Sequence, residues 1–174
     1  MKKKNDRILY TDAPDSLNFL QFVHNYAKQD ARVFPSIPNN PWKVQEPKVL
    51  KPMLKKLWNE TLLSLNPSTH MYSHEEDFQA LFKDEQSFNS CVETFQSWWG
   101  NMAGQMAVGR FLGEQEHSSL YTFFLLTEKD NLAIYFTYDN EILGEGSVDG
   151  RIVLTLRETF VQEEMLRIVQ ERLI

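Results

Sequence analysis

LYTFFLLTEKDNLAIYFTY, from Leu120 to Tyr138, is the stretch whose reading decides the fold. Its two apolar halves, LYTFFLLT and NLAIYFTY, are rich in aromatic and branched residues, and Glu128, Lys129 and Asp130 separate them. Strand formers on both sides of a short polar turn predict a β-hairpin. Asp139-Asn140-Glu141 predicts the next turn. ILGEGSV (142–148) predicts a weaker strand, because its glycines favour bulges. Asp149-Gly150 suits a tight hairpin turn into RIVLTL, Arg151 to Leu156. The period-two region therefore predicts an antiparallel meander of three or four strands. After it, Val161, Met165, Ile168, Val169 and Leu173 fall on one face of a closing helix.

Upstream, the apolar period is helical. A helix starting near Asp12 or Asp15 places Leu17, Leu20, Val23 and Tyr26 on one stripe, widened by Phe19, Phe22 and Ala27. Prolines at 35, 38, 41 and 47 exclude helix next. Val33, Phe34, Ile37 and Trp42 are too apolar for a free linker, so an extended segment pinned by its aromatics is expected. A second helix follows from Lys48 to Leu65, with Pro52 in its first turn. From Phe78 to Met106 the helical period continues as one helix or two, with a restart at Asp84.

All seven prolines lie between Pro14 and Pro67, and all seven glycines between Gly100 and Gly150. Helices first and strands afterwards predict an α+β fold. It has N-terminal helices and an extended Pro-rich segment, then an antiparallel meander closed by a C-terminal helix. Residues 1–174 suit a single domain. Its parts are a basic helical and Pro-rich part (1–65), central helices (66–118), and the sheet with its last helix (119–174).

The 13% aromatic content supplies ample apolar area and argues against disorder. No apolar run reaches the ~18 residues a membrane span needs. The basic start MKKKNDR is followed by two acids and a proline rather than an apolar core, so neither export nor anchoring is expected. The single cysteine, Cys91, excludes an internal disulfide and fits a cytoplasmic setting.

Charge is split. Residues 1–65 hold 11 Lys/Arg against 6 Asp/Glu, and residues 66–174 hold 7 against 18, for a net of −6. The acidic part repels nucleic acid, and a basic protein is the expected partner. Asp139, Glu141, Glu145 and Asp149 fall in or beside the turns of the expected meander and are the candidate partner-binding residues. Lys48, Lys51, Lys55 and Lys56 offer a competing, internal neutralisation of that face.

THMYSHEED (69–77) holds two histidines four apart. Ser73 with Glu76 forms a capping box, and Glu75, Glu76 and Asp77 suit the first turn of a helix, so a helix start is expected rather than a metal site. Cys91 lies mid-helix without a local base, which predicts a buried structural thiol. Residues 97–109 carry no charge and read as a buried helix, a subunit interface or a pocket wall. Trp98, Trp99, Arg110 and His117 are its candidate pocket or interface residues, with Trp42 and Trp58 as further candidates. Phosphate-cradling, dinucleotide, esterase and calcium-loop motifs are missing, and no cofactor is expected.

These readings favour a non-enzymatic, cytoplasmic binding or regulatory protein, of the immunity or inhibitor-like kind, acting as monomer or homodimer. The alternatives are a small-molecule sensor with a pocket between helices and sheet, and an enzyme whose residues meet only in three dimensions.

Overall fold

The structure, a computed structural model, describes residues 7–30, 33–34, 37, 41–66, 75–101, 109 and 114–173, with the side chains of 114–117 left out of that description. It is a mixed α+β fold with a central, mostly parallel sheet flanked by N- and C-terminal helices. The strands are β1 (Ile8–Asp12), β2 (Asn131–Thr137), β3 (Ser147–Val148) and β4 (Arg151–Thr155). The helices among the described residues are α1 (Asp15–Lys28), α2 (Pro47–Ser64), α3 (Glu75–Gln79), α4 (Glu85–Trp99), α5 (Glu114–Leu126), α6 (Leu156–Thr159) and α7 (Gln162–Arg172).

The sheet order is β1-β2-β4-β3. β1 and β4 both run parallel to β2, and only the β3–β4 pair is antiparallel. This corrects the expected antiparallel meander, and the reason lies in the opening stretch. Leu120–Leu126 is the end of α5, not a strand. Leu120 and Phe124, one helical turn apart, are both fully buried, while Leu126 is 82% exposed. A strand would put 120, 124 and 126 on one face, so the burial follows period four. ILGEGSV is likewise not a strand along its length, since only Ser147–Val148 pairs. With its middle strand reduced to two residues at the edge, β2 pairs directly with β4 in parallel. The Asp149-Gly150 turn holds as expected, with φ of 45° and 74°, the left-handed pair a two-residue hairpin requires.

β1 was not among the expected elements, which began with a helix near Asp12 or Asp15. It joins β2 because Arg7 anchors it there. The Arg7 guanidinium donates to the carbonyls of Phe124, Leu125, Thr127 and Lys129 and lies 4.6 Å from the Phe124 ring centroid. A cation placed on carbonyls at the end of α5 also meets the negative end of the helix dipole.

β2 and β4 are buried on both faces from Ile134 to Thr137 and from Ile152 to Thr155, as parallel strands covered by helices are. α1 packs on β2 and on α2 and α4; α7 packs on β4 and α5. The helix starts at Asp15 and Asp84 match expectation. The Asp84 carboxylate caps α4 by accepting from the Ser87 amide at 2.8 Å, and hydrogen bonds from Ser87 hold its carboxyl below the usual range. Of the segment expected to be pinned, Phe34 and Trp42 are buried and Val44 bridges to Phe82, while Pro35, Ser36 and residues 38–40 lie outside the described residues.

Two details differ. Pro47 occupies the first turn of α2, and Pro52 sits one turn further in on the exposed side. The closing helix is two helices broken at Phe160–Val161, which leaves Val161 59% exposed while Met165 and Val169 are fully buried. Thr155 and Glu158 form a capping box at the start of α6, and that local start interrupts the single helix. No described helix is long and apolar enough to cross a membrane. Ser73 and His74 of the expected capping box, with His70, lie outside the described residues.

Candidate functional site

The polar side of α1 builds the site. Asn18, Gln21 and Asn25 fall three and four residues apart, on one face of an otherwise apolar helix. The Asn18 amide donates to Phe136 O at 3.1 Å and accepts from the Tyr138 amide at 2.7 Å. Gln21 donates to Glu141 O at 2.5 Å, and Asn25 donates to the Asp139 carboxylate at 2.6 Å. This amide ladder clamps the chain as it leaves β2. Gln21 Oε1 is a buried oxygen without a partner among the described residues. Three amides at helical spacing inside an apolar pattern were visible in the sequence, and reading them as a clamp would have placed α1 beside the strand end.

Beyond the ladder, a cleft of about 490 Å³ opens at the carboxyl ends of β2 and β4. His24 and Lys28 of α1 form one wall, Asp139, Asn140 and Glu141 the second, and Arg157 and Phe160 the third. A backbone bond from Leu156 N to Asp139 O ties the last two walls together. Open α/β sheets bind ligands at this end of their strands, where backbone leaves the ladder and polar groups converge.

The cleft mixes both signs of charge. Burial, with Lys28 adding to it, lowers the His24 pKa to about 4, so its imidazole is neutral at physiological pH. Burial raises the Asp139 carboxyl above its ordinary value, against the bonds from Asn25 and from the amides of Asn140 and Glu141. Lys28 reaches Glu141 at 3.5 Å, with the Glu141 side chain 71% exposed.

The four acids of the expected partner face are not gathered. Asp139 is buried, with its oxygens taken by Asn25 and Asn140. Glu141 stands at the cleft. Glu145 is exposed while its backbone docks on α2, where its amide meets Asn59 and its carbonyl accepts from Trp58 at 2.9 Å. Asp149 lies at the other end of β4, roughly 13 Å of strand away at about 3.3 Å per residue. The lysines of α2 do not neutralise these acids: all four are exposed, and Lys56 pairs with Glu60 of its own helix.

The tryptophans are packed rather than open. Trp58 is fully buried, and Trp42 and Trp99 are 4% and 3% exposed. The Trp99 indole donates to Asp15 at 2.6 Å, and its ring stacks on Phe95. Half-buried Trp98 meets Phe22, Phe34 and Tyr138. Arg110 and the His117 side chain lie outside the described residues. Cys91 is fully buried and its thiol pKa is pushed well up by burial, which makes it an unreactive core group. Among the described residues no three His, Cys, Asp or Glu side chains are placed to hold a metal ion.

A dense run of acids lies on and between α3 and α4. Residues 75–99 hold six acids and one lysine. Along the outside of α4, Glu85, Gln86, Asn89, Ser90 and Glu93 line a shallow groove of about 470 Å³.

No family model, curated protein or solved structure matches this chain.

Proposed function

We propose that the chain is a non-enzymatic cytoplasmic binding protein acting by protein–protein contact, and that a basic partner lands on α3 and α4. The outer face of α4 carries this reading. Glu85, Asn89 and Glu93 recur every four residues with Gln86 and Gln96 beside them, and neither α3 nor α4 contains a cation. Lys83, between the two helices, is bonded to Glu46. Lys43 pairs with the Asp84 cap at 3.2 Å, and from Glu85 onward the outer face of α4 carries acids and amides alone, which attracts a positively charged protein and speeds encounter. The inner face of α4 is fixed by Phe88, Cys91, Val92, Phe95 and Trp99, so the outer groups are presented on a rigid element with little ordering cost. An immunity or inhibitor-like role against a basic protein suits this chemistry.

Affinity capture from an extract of the source cells, followed by association kinetics at two salt concentrations, tests the proposal. Glu76→Gln, Glu85→Gln and Glu93→Gln together are expected to lower stability only by the loss of two first-turn acids, about 0.3–1 kcal/mol each, to slow association and to flatten its salt dependence. Changing Glu145 and Asp149 to their amides is expected to leave association alone. A triple variant that captures the same protein at an unaltered rate would reduce the helical face to a solubility feature.

A further inference from the structure

The cleft at the strand ends contains an arginine that the fold does not use. Arg7, Arg151 and Arg172 bond to carbonyls, and Arg167 and Arg172 to carboxylates. Arg157 is exposed and has no side-chain partner among the described residues. On the adjoining wall, Glu141 is held only by the Lys28 contact at 3.5 Å, which is too exposed to contribute much. Three residues beyond Arg157, Phe160 lines the same cleft with 60% of its surface open. Val33 adds a second apolar contact, and neutral His24 a group that can donate or accept.

Arg157 on one wall, Glu141 on the next and the Phe160 ring between cleft and solvent, with Lys28 and Asp30 adding one charge of each sign, are complementary to a small zwitterion. We propose that this cleft binds a free α-amino acid with an apolar side chain, its carboxylate on Arg157, its ammonium on Glu141 and its side chain on Phe160. A guanidinium meets a carboxylate through two parallel hydrogen bonds, which gives the acid end its orientation. The volume of about 490 Å³ lies within the range of small-molecule sites. The proposal is independent of the protein-contact reading, because it uses none of the residues on α3 or α4.

Isothermal titration with leucine, N-acetyl-leucine and leucinamide separates the charges. Leucine is expected to bind, and each capped analogue to bind at least about 10-fold more weakly, since each lacks one partner charge. Arg157→Ala is expected to weaken leucine about 10-fold or more and to leave the affinity for leucinamide, already without its carboxylate, little changed. Glu141→Gln is expected to do the converse for N-acetyl-leucine. Both side chains are exposed, so folding is retained, and the analogue series on the unaltered protein stands without them. Absence of leucine binding at about 10 mM overturns the proposal. So does N-acetyl-leucine or leucinamide binding as tightly as leucine, which would make the cleft a simple anion or cation site.

Discussion

The ring-filled space between α1 and α4 and the cleft at the end of β2 both draw on α1, yet they are built by different means. In the first, Phe19, Phe22, Phe95, Trp98 and Trp99 meet edge-on, tilted or stacked with centroids 5.4–6.3 Å apart, and the indole N–H of Trp99 is matched to one acceptor. In the second, α1 presents His24, Asn25 and Lys28, and the groups opposite are polar and part-solvated. Aromatic packing leaves no room for a ligand and resists change. The polar end is held by single hydrogen bonds and tolerates exchange. Aromatic packing and polar clamping are thus divided between two faces of one helix.

The largest expected effect is in the ring-filled region. Phe95→Ala removes a fully buried ring that touches Phe19, Phe22 and Trp99, and a loss of about 3–5 kcal/mol is expected by denaturant unfolding. A loss under about 1 kcal/mol would show that this region is not closed. Gly144 tests the boundary between the regions, where the chain leaving the cleft docks on α2. A Cβ at Gly144 would run into the Asn59 side chain and come within 2.6 Å of Trp58 Cδ1. Gly144→Ala is expected to cost about 1–3 kcal/mol and to alter Trp58 fluorescence.

The cleft itself is expected to respond to pH. His24 has a folded pKa of about 4, below its usual value, so the unfolded chain takes up the proton first as pH falls. Stability attributable to His24 is therefore present above about pH 6.5 and lost progressively towards pH 4. Allowing for partial exposure, that loss is about 1–2 kcal/mol. Asp139 acts in the opposite sense, since its raised pKa lets the folded state take up a proton first. Both proteins keep Asp139, so denaturation of wild type and His24→Gln at several pH values isolates the histidine. An unchanged pH profile in the variant would place His24 in open solvent. The smallest effect belongs to α2: Lys51→Ser with Lys55→Ser is expected to change stability by less than about 0.5 kcal/mol in thermal unfolding.

Legibility in the sequence followed the range of the interactions. Local signals were readable: Asp84 as a cap, Asp149-Gly150 as a turn, the Leu17–Val23 stripe and the pinning role of Phe34 and Trp42. The run Leu120–Leu126 was not, because only Thr122 is polar within it and both periods fit so apolar a segment. The absence of Gly and Pro from Glu114 through Thr137 would have allowed the helix to continue into it. Parallel pairing was also hidden, since β1 meets β2 across more than a hundred residues. The cleft draws on residues between His24 and Asp30, on Val33, on Asp139 to Glu141 and on Arg157 and Phe160, which no local pattern joins. The acidic turns were correctly seen as surface at Glu141, Glu145 and Asp149. Asp139 is buried instead, and its partner there, Asn25, sits 114 residues away.

Arg7 carries a consequence for the order in which the chain acquires structure. It is bonded to carbonyls 117 to 122 positions later, so β1 has nothing to dock on until α5 and the turn before β2 have been made. During synthesis this strand is therefore among the last elements to settle, although it precedes the other described elements in the chain. Such non-local closure slows folding, because loop entropy is lost before the contacts that offset it are formed. In pulse-labelled refolding, the amides of α1 and α4 are expected to gain protection ahead of those of Leu9 to Thr11. Arg7→Ala is expected to delay the strand further while leaving the early helical phase at its original rate.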